Sequence, residues 1–354
     1  MCFRNEVKTL EMYIAWYAGD PEYQAIDMNC NVVVSLTNVS VNWTTRKWRF
    51  SPKKLILNCG VPKKRNMIGL TRPKDVLLTQ IKVINDFKGE VFVCPPDIPL
   101  PRKIPASINV NEILEQNIKN ARAYYEEYQR LSAQFPNIKP IGIIHGYDDK
   151  SLLVMTRKLM EIGYQYFALG SQEAKSRLDR GSIASFIETL VKTVGYIHVL
   201  GVTSSDLHTQ YLPLSLVHSV DSSTPIKEAF TNGIYFSNPI RRFKICTERL
   251  NIDWVRHWGY ASLVCNPFRE LSCGRVCEGI EENFKNRIVD FRRLPPCDCP
   301  VCRKFGQEEG LFHIGKKIYN NRRALHNYFH LKKEFEAILD NPFLERHEAI
   351  ESIH

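Results

Sequence analysis

Short apolar, β-rich runs recur along most of the chain with stretches of helical spacing between them, and this alternation narrows the architectures open to it. The runs are NVVVSL (31–36), KLILN (54–58), EVFVC (90–94), PIGIIH (140–145), YQYFALG (164–170), YIHVLGV (196–202) and LSLVHSV (214–220). Apolar residues at helical spacing fill 71–86, 109–133, 149–162 and 183–194. Repeated strand and helix predict an α/β protein built as a (β/α)8 TIM barrel, with an eighth strand expected within 234–265. A chain of 354 residues, 44% hydrophobic, is long enough for a barrel and a further unit. The expected division is a barrel over 1–265 and a C-terminal zinc-binding subdomain with helices over 266–354.

A barrel of parallel strands places its chemistry at the C-terminal strand ends. Asn58, Asp97, His145 with Gly146, Gly170, Gly201 and Asp221 all fall at or just beyond an expected strand end. An acid that closes an apolar strand, as in SLVHSVD, is poorly explained as core, although a helix N-cap or turn would also use it. The joint pattern carries the inference to a site; no single member does.

Near the C-terminus, CDCPVC brings Cys297, Cys299 and Cys302 within six residues, and His326 follows 24 residues after Cys302 in the helical run ALHNYFHL. Three thiolates and an imidazole complete a closed tetrahedral zinc set, which organises structure because no coordination position stays open for substrate. Pro295, Pro296 and Pro300 stiffen the loop that carries the sulfurs. His313 and His330 are rival fourth ligands; His326 is preferred because it lies on an amphipathic helix able to pack beside the loop. The plain alternative is three reduced thiols and a core histidine. Cys2, Cys30, Cys59, Cys94, Cys246 and Cys265 read as buried small hydrophobes, and Cys273 with Cys277 as a less favoured second ligand pair.

Eleven cysteines is an odd count, the N-terminus lacks a signal-peptide pattern, and no run approaches the length of a membrane span. These features predict a soluble, cytoplasmic protein with free thiols and no membrane partner. The net charge is +10, with basic clusters at Arg46–Arg49, Lys53–Lys54, Lys63–Arg65, Arg241–Arg242 with Lys244, Arg292–Arg293, Lys316–Lys317 and Arg322–Arg323. One such cluster is an ordinary solvated surface. Several together predict a polyanionic partner, since each neutralised phosphate releases a counterion.

Taken together, these segments resemble the tRNA-guanine transglycosylases, a zinc-bearing (β/α)8 family that exchanges a guanine for a 7-deazaguanine. The resemblance covers about 50–340. ILNCG at 56–60 stands where the family has an Asp-Ser-Gly-Gly segment, and LTRPKDVLLTQ at 70–80 is similar to its Leu-Thr-Pro-Glu helix start. VCPPDIPLP at 93–101 resembles its base-reading aspartate loop, GIIHGYD at 142–148 its Gln-Gly-Gly segment, and FALGS at 167–171 its Ala-Leu-Gly-Gly strand end. HVLGVTSSDL at 198–207 and VDSSTP at 220–225 are similar to the Gly-Val-Gly strand and the nucleophile strand, and CDCPVC with LHN at 325–327 to the zinc pattern.

The resemblance implies a double displacement in which Asp221 attacks the anomeric carbon of a target guanosine and a free 7-deazaguanine then displaces the carboxylate. It implies that Asp97 accepts from the N1–H and amino group of the base, that His145 stands in for a glutamine near it, and that Gly170 presents backbone groups there. Gly146 and Gly201 fall in the same binding segments. Lys227, with Arg241 and Arg242, would meet nucleic-acid phosphate, and the structural zinc would sit on Cys297, Cys299, Cys302 and His326. Asn58 departs from the family, whose aspartate at that position moves a proton that an amide cannot. The diverged motifs, the TNVSVNWTTRKWRF stretch at 37–50 and the lack of a basic module after the zinc helix look more like the DNA-modifying branch, the DpdA-type enzymes that insert 7-cyano-7-deazaguanine into DNA. DNA is therefore the expected partner, with tRNA as the alternative; a homodimer or helper proteins of a modification cluster are compatible with either. The rival from another class is a nucleic-acid-binding subunit whose barrel is inactive because of Asn58.

Overall fold

The computed structural model describes residues 10–16, 20–36, 52–59, 72–84, 87–100, 107–170, 181–202, 216–238, 240–246, 261–269 and 288–339. Cys2, Cys273, Cys277, the 37–50 stretch and the basic residues at 46–49 and 63–65 lie outside them. The chain divides into two compact units, the second beginning at Thr224.

The first unit is a closed barrel of eight parallel strands in sequential order, with surrounding helices. Its strands are β1 (Glu11–Ala15), β2 (Asn31–Ser35), β3 (Lys54–Asn58), β4 (Glu90–Val93), β5 (Ile138–Ile144), β6 (Tyr166–Leu169), β7 (Ile197–Val199) and β8 (Ser219–Ser222). Closure joins β1 to β8 with Tyr13 opposite Asp221. Helices α1 (Pro73–Ile84), α2 (Val110–Leu131), α3 (Asp149–Ile162) and α4 (Gly181–Val191) follow β3, β4, β5 and β6, as the apolar spacing predicts.

Two expectations are corrected. The strand missing from the sequence reading is β1, and 233–264 builds a separate sheet in the second unit. Between β1 and β2 the described structure holds only a 3-10 turn at Tyr23–Ala25, so no helical pattern announces β1. Strands β9 (Gly233–Ser237) and β10 (Ile240–Ile245) pair antiparallel, a geometry with no place in an all-parallel barrel. The division between units accordingly falls at Ser223/Thr224, not at 265/266.

Period-two alternation decides what the barrel encloses. Tyr13, Val33, Ile56, Phe92, Cys94, Ile141, Ile143 and Ala168 form one buried cluster, with Tyr166, Tyr196 and Leu200 packed on it. One step back along the same faces, toward the strand starts, stand Glu11, Lys54, Glu90 and Lys139. Lys54 pairs with Glu11 at 2.7 Å and with Glu90 at 3.2 Å, and Lys139 pairs with Glu90. These charges close the N-terminal end of the barrel. One step forward along β3, β5 and β6 come Asn58, His145 and Gly170, and Asp221 lies on the corresponding face of β8. Asn58, His145, Gly170 and Asp221 therefore share the inward parity of the core and stand at its C-terminal mouth, whereas Gly146 is one residue out of that parity and Asp97 lies on the loop after β4.

The second unit holds α5 (Thr224–Phe230), a sheet ordered β12-β11-β10-β9 with β11 (Ala261–Val264) and β12 (Ile288–Val289), and helices α6 (Pro300–Phe305), α7 (Gln307–Leu311) and α8 (Lys317–Leu339). α8 packs on α5 and β9 through buried polar groups. Asn327 donates to the Pro225 and Gly233 carbonyls and accepts from Tyr235 N–H. Arg323, fully buried, donates to the carbonyls of Ala229, Leu311 and His313, satisfying backbone acceptors that would otherwise be orphaned. No helix among the described residues is long and apolar enough to cross a membrane.

Candidate active site and metal cluster

Two buried amide side chains fix the barrel mouth. Gln80 of α1 is fully buried, donates to the Leu57 and Cys94 carbonyls at 3.0 and 2.9 Å and accepts from the Tyr124 hydroxyl. It thereby ties together the ends of β3 and β4, from which Asn58 and Asp97 follow. Asn117 of α2 brackets Ile98, accepting its N–H at 2.7 Å and donating to its carbonyl at 3.0 Å. The loop that carries Asp97 is thus held on both sides.

Asp97 receives the Cys59 thiol on Oδ1 at 3.2 Å and His145 Nε2 on Oδ2 at 2.9 Å. Burial, with the Asp97 charge beside it, pushes the Cys59 thiol well up, so that it stays a donor. His145 is 1% exposed, and its ring occupies the space a side chain at position 170 would need: a Cβ on Gly170 would meet His145 Cε1 at 2.5 Å. The Gly170 N–H is itself taken by the Ile144 carbonyl at 2.8 Å. Of the backbone groups the resemblance has Gly170 present to the base, the N–H is therefore already engaged, and the missing side chain makes room for the imidazole. Gly146 likewise lets β5 approach α3, where a Cβ would meet Leu152 N at 2.9 Å.

Asp221 is held on one oxygen. Oδ1 accepts the Gly201 N–H at 2.8 Å and faces His198 Nε2 at 3.2 Å; Oδ2 takes no hydrogen bond among the described residues. Gly201 adopts φ +73°, a left-handed conformation that suits glycine and turns its N–H toward the carboxylate. The buried Cys94 thiol is pushed up first by burial and then by the Asp97 and Asp221 carboxylates together. Asn58 does not bond to either acid, and its Oδ1 is buried without a hydrogen-bond partner among the described residues.

Cys59 and Cys265, expected as buried hydrophobes, are half-buried, and Cys59 is a polar partner of Asp97; sequence reasoning gave no role to Gln80, Asn117, Ser219 or His198, although His198 is fully buried against Asp221. The available signal was parity: residues 196 and 198 alternate on the face that ends near Gly201, as 219 and 221 do on β8.

The second unit carries the metal cluster. Ligand atoms of Cys297, Cys299, Cys302 and His326 all lie within 4.8 Å of one another, a set that could hold zinc. His326 Nδ1 stands 3.7, 3.3 and 3.6 Å from the three sulfurs, in chain order. Its Nε2–H donates to the Tyr235 carbonyl at 2.6 Å, which leaves Nδ1 unprotonated and able to ligate. Cys299 caps α6, with Pro300 as the first helical residue. Hydrogen bonds from the Cys297 and Cys302 thiols hold Cys299 down to about 4, and the same kind of contact pushes Cys302 up. Three sulfurs at this spacing all ionise only when a cation shares their charge.

Of the rival histidines, His330 accepts Ser237 N–H on Nδ1 at 3.1 Å, so its Nε2–H points to Cys297 Sγ at 3.2 Å. It is a donor to a ligand. His313 stacks on Phe268 with centroids 4.1 Å apart and pairs with Glu309.

The basic clusters divide. Lys227 and Arg241 are exposed. Arg242 is buried, pairs with Glu334 at 2.5 Å and lies 3.9 Å from the Tyr235 ring centre, so it is a packing residue and not a phosphate contact. Lys244 is buried against Glu228 at 2.5 Å, and burial pulls its ammonium below the usual lysine range.

Fold and clusters define the class: a parallel α/β barrel carrying paired acid–histidine contacts at its mouth, followed by a unit with a Cys3His cluster able to hold a metal ion. No protein-family model matches the chain, and no curated protein matches it.

Proposed function

We propose that the protein is a base-exchange transglycosylase that replaces guanine in DNA with a 7-deazaguanine, 7-cyano-7-deazaguanine in the resembling DNA branch, through a covalent aspartyl-glycosyl intermediate. The observation that supports this most is Asp221: a carboxylate at the barrel mouth with one oxygen fixed by two donors and the other without a hydrogen bond among the described residues, as a nucleophile requires. In the first displacement Asp221 Oδ2 bonds to the anomeric carbon as the bond to guanine N9 breaks, and guanine leaves with a proton on N9. In the second, the incoming free base gives up its N9 proton and displaces the carboxylate, so protons balance over the cycle. The target nucleotide has to leave its stack to reach such a mouth.

Asp97 suits the donor edge of the base, since it is a fixed acceptor with 23% of its side chain exposed. The His145–Asp97 pair is the group placed to carry the proton that the Asn58 amide cannot. Asn58 Oδ1 is left to accept an N–H of the base. Lys227 and Arg241 are the exposed cations assigned to phosphate. The metal assigned to the cluster is structural zinc: Zn–S of about 2.3 Å and Zn–N of about 2.05 Å at a tetrahedral angle separate nitrogen and sulfur by about 3.5 Å. The 3.3–3.7 Å found for His326 fits that figure. Cys94, Cys297, Cys299 and Cys302 are free thiols, which suits the reducing cytoplasm proposed here.

The test is release of labelled guanine from DNA and from tRNA on addition of the free base, with Asp221→Asn as control. Exchange confined to tRNA would move the substrate to the alternative. Binding without exchange into either polymer would favour the inactive-subunit reading, which the amide at position 58 motivates.

A further inference from the structure

Behind Asp221 lies a chain of polar side chains that the exchange reaction, as described, does not use. His198 is fully buried between β7 and β8, with Nε2 3.2 Å from Asp221 Oδ1 and Nδ1 2.8 Å from Ser219 Oγ. Ser219, also fully buried, lies 2.9 Å from the Tyr196 hydroxyl. The Tyr13 hydroxyl donates to Glu11 Oε2 at 3.3 Å. Glu11 belongs to the charged cluster at the N-terminal end of the barrel, paired with Lys54. Tyr196, Ser219, His198 and Asp221 thus form one connected polar chain in the barrel interior, and the separate Tyr13–Glu11 pair stands beside it.

Four polar groups linked inside a barrel core are costly unless their donors and acceptors match throughout. Direction follows from the ends. An ionised carboxylate at Asp221 only accepts, which places the imidazole proton on Nε2 and makes Nδ1 the acceptor of the Ser219 hydroxyl. Ser219 in turn accepts from Tyr196, whose hydroxyl burial pushes up to about 12, so that it keeps its proton to donate. Tyr13 packs edge-on against the His198 ring, centroids 5.6 Å apart, and prevents it from swinging out of line. The Gly201 N–H and His198 Nε2–H then grip one oxygen and leave the other for the sugar.

We infer that His198 is a positioning residue for the Asp221 nucleophile, its tautomer set by the Ser219–Tyr196 chain and its ring orientation by Tyr13 packed against it. This rests on the proposed transglycosylase chemistry for its kinetic consequence but not for its tautomer. The kinetic test measures single-turnover formation of the covalent DNA adduct by the full chain, beside DNA affinity and thermal midpoint. His198→Phe keeps a ring and loses the donor; adduct formation is expected to fall about 100-fold, the usual cost of misplacing a reacting group, with DNA affinity within about threefold. His198→Gln, whose amide can still donate to Asp221, is expected to recover to within about tenfold of the unmodified protein. Equal rates for Phe and Gln, or a loss that tracks DNA affinity, would overturn the inference. The tautomer is read independently by 15N NMR of histidine-labelled protein: the Nε2–H form is expected at His198, shifting toward a mixture in Ser219→Ala. An Nδ1–H form in the unmodified protein would overturn the inference whether or not any exchange occurs. Absence of exchange together with the expected tautomer would instead count against the transglycosylase reading alone.

Discussion

The barrel mouth and the cysteine cluster use similar ingredients, imidazoles against anionic partners, and arrange them to opposite ends. In the cluster every histidine nitrogen near the sulfurs is engaged. His326 Nδ1 faces the three thiols, its Nε2–H holds the Tyr235 carbonyl, and His330 supports Cys297 from outside. At the mouth, Asp221 Oδ2 and Asn58 Oδ1 are left without a hydrogen-bond partner among the described residues. A closed donor set stores stability, whereas a set with acceptors left over awaits a visitor. Unmatched polar atoms, more than the acids themselves, mark the place where chemistry is expected.

The contrast breaks most readily at the cluster. Cys299→Ser, or removal of metal with a chelator, should unfold the second unit, because structural zinc contributes about 10–16 kcal/mol of apparent folding free energy in small domains. Circular dichroism and a metal assay across a chelator titration check this; full stability of the metal-free protein would dissolve the contrast. At the mouth, Asp221→Ala should abolish the trapped adduct and cut exchange by about 10⁴-fold, as for nucleophiles elsewhere, with the melting temperature little changed. Loss of fold in that variant would make the acid structural.

A third comparison concerns the buried pair. Arg242→Ala should destabilise the protein by about 3–5 kcal/mol by stranding Glu334, while the double variant Arg242→Met with Glu334→Leu should regain most of the loss in denaturant titrations. Smaller again is Gly170→Ala: its methyl meets the His145 ring, and a cost of about 1–3 kcal/mol together with weakened binding of the free base is expected by calorimetry. Least of all for stability, Lys227→Ala and Arg241→Ala should each stay within about 0.5 kcal/mol of the parent. Each should reduce the salt dependence of DNA binding by about one unit of slope, which a salt titration of affinity would show.

The two sites were unequally legible in the sequence. Cys297, Cys299 and Cys302 sit on one short loop, so their spacing alone predicted a ligand set, and the structure brings His326 to them. Seven strands could be read from apolar runs because each is buried on both faces. β1 could not, since no helix pattern follows it, and the boundary at 265/266 moved because an antiparallel pair and a barrel strand look alike one strand at a time. Asp97, His145 and Asp221 could be picked out as strand-end residues. Their partners could not: Cys59, Gln80, Asn117 and His198 act through contacts 14 to 44 residues apart, which local pattern does not encode.

The attachments of helix α8 share a single register. Arg323, His326, Asn327, His330 and Glu334 fall on one face, so that face supplies the sulfur-facing nitrogen, its neighbour's support, the sheet clamp, the buried guanidinium that holds backbone carbonyls and the carboxylate of a buried ion pair. Deleting one residue between Asn327 and His330 would turn His330 and Glu334 by about 100° away from the face that holds Arg323, His326 and Asn327. The two halves of that face could then no longer dock at once, so the metal ligand and the buried ion pair depend on one unbroken helix.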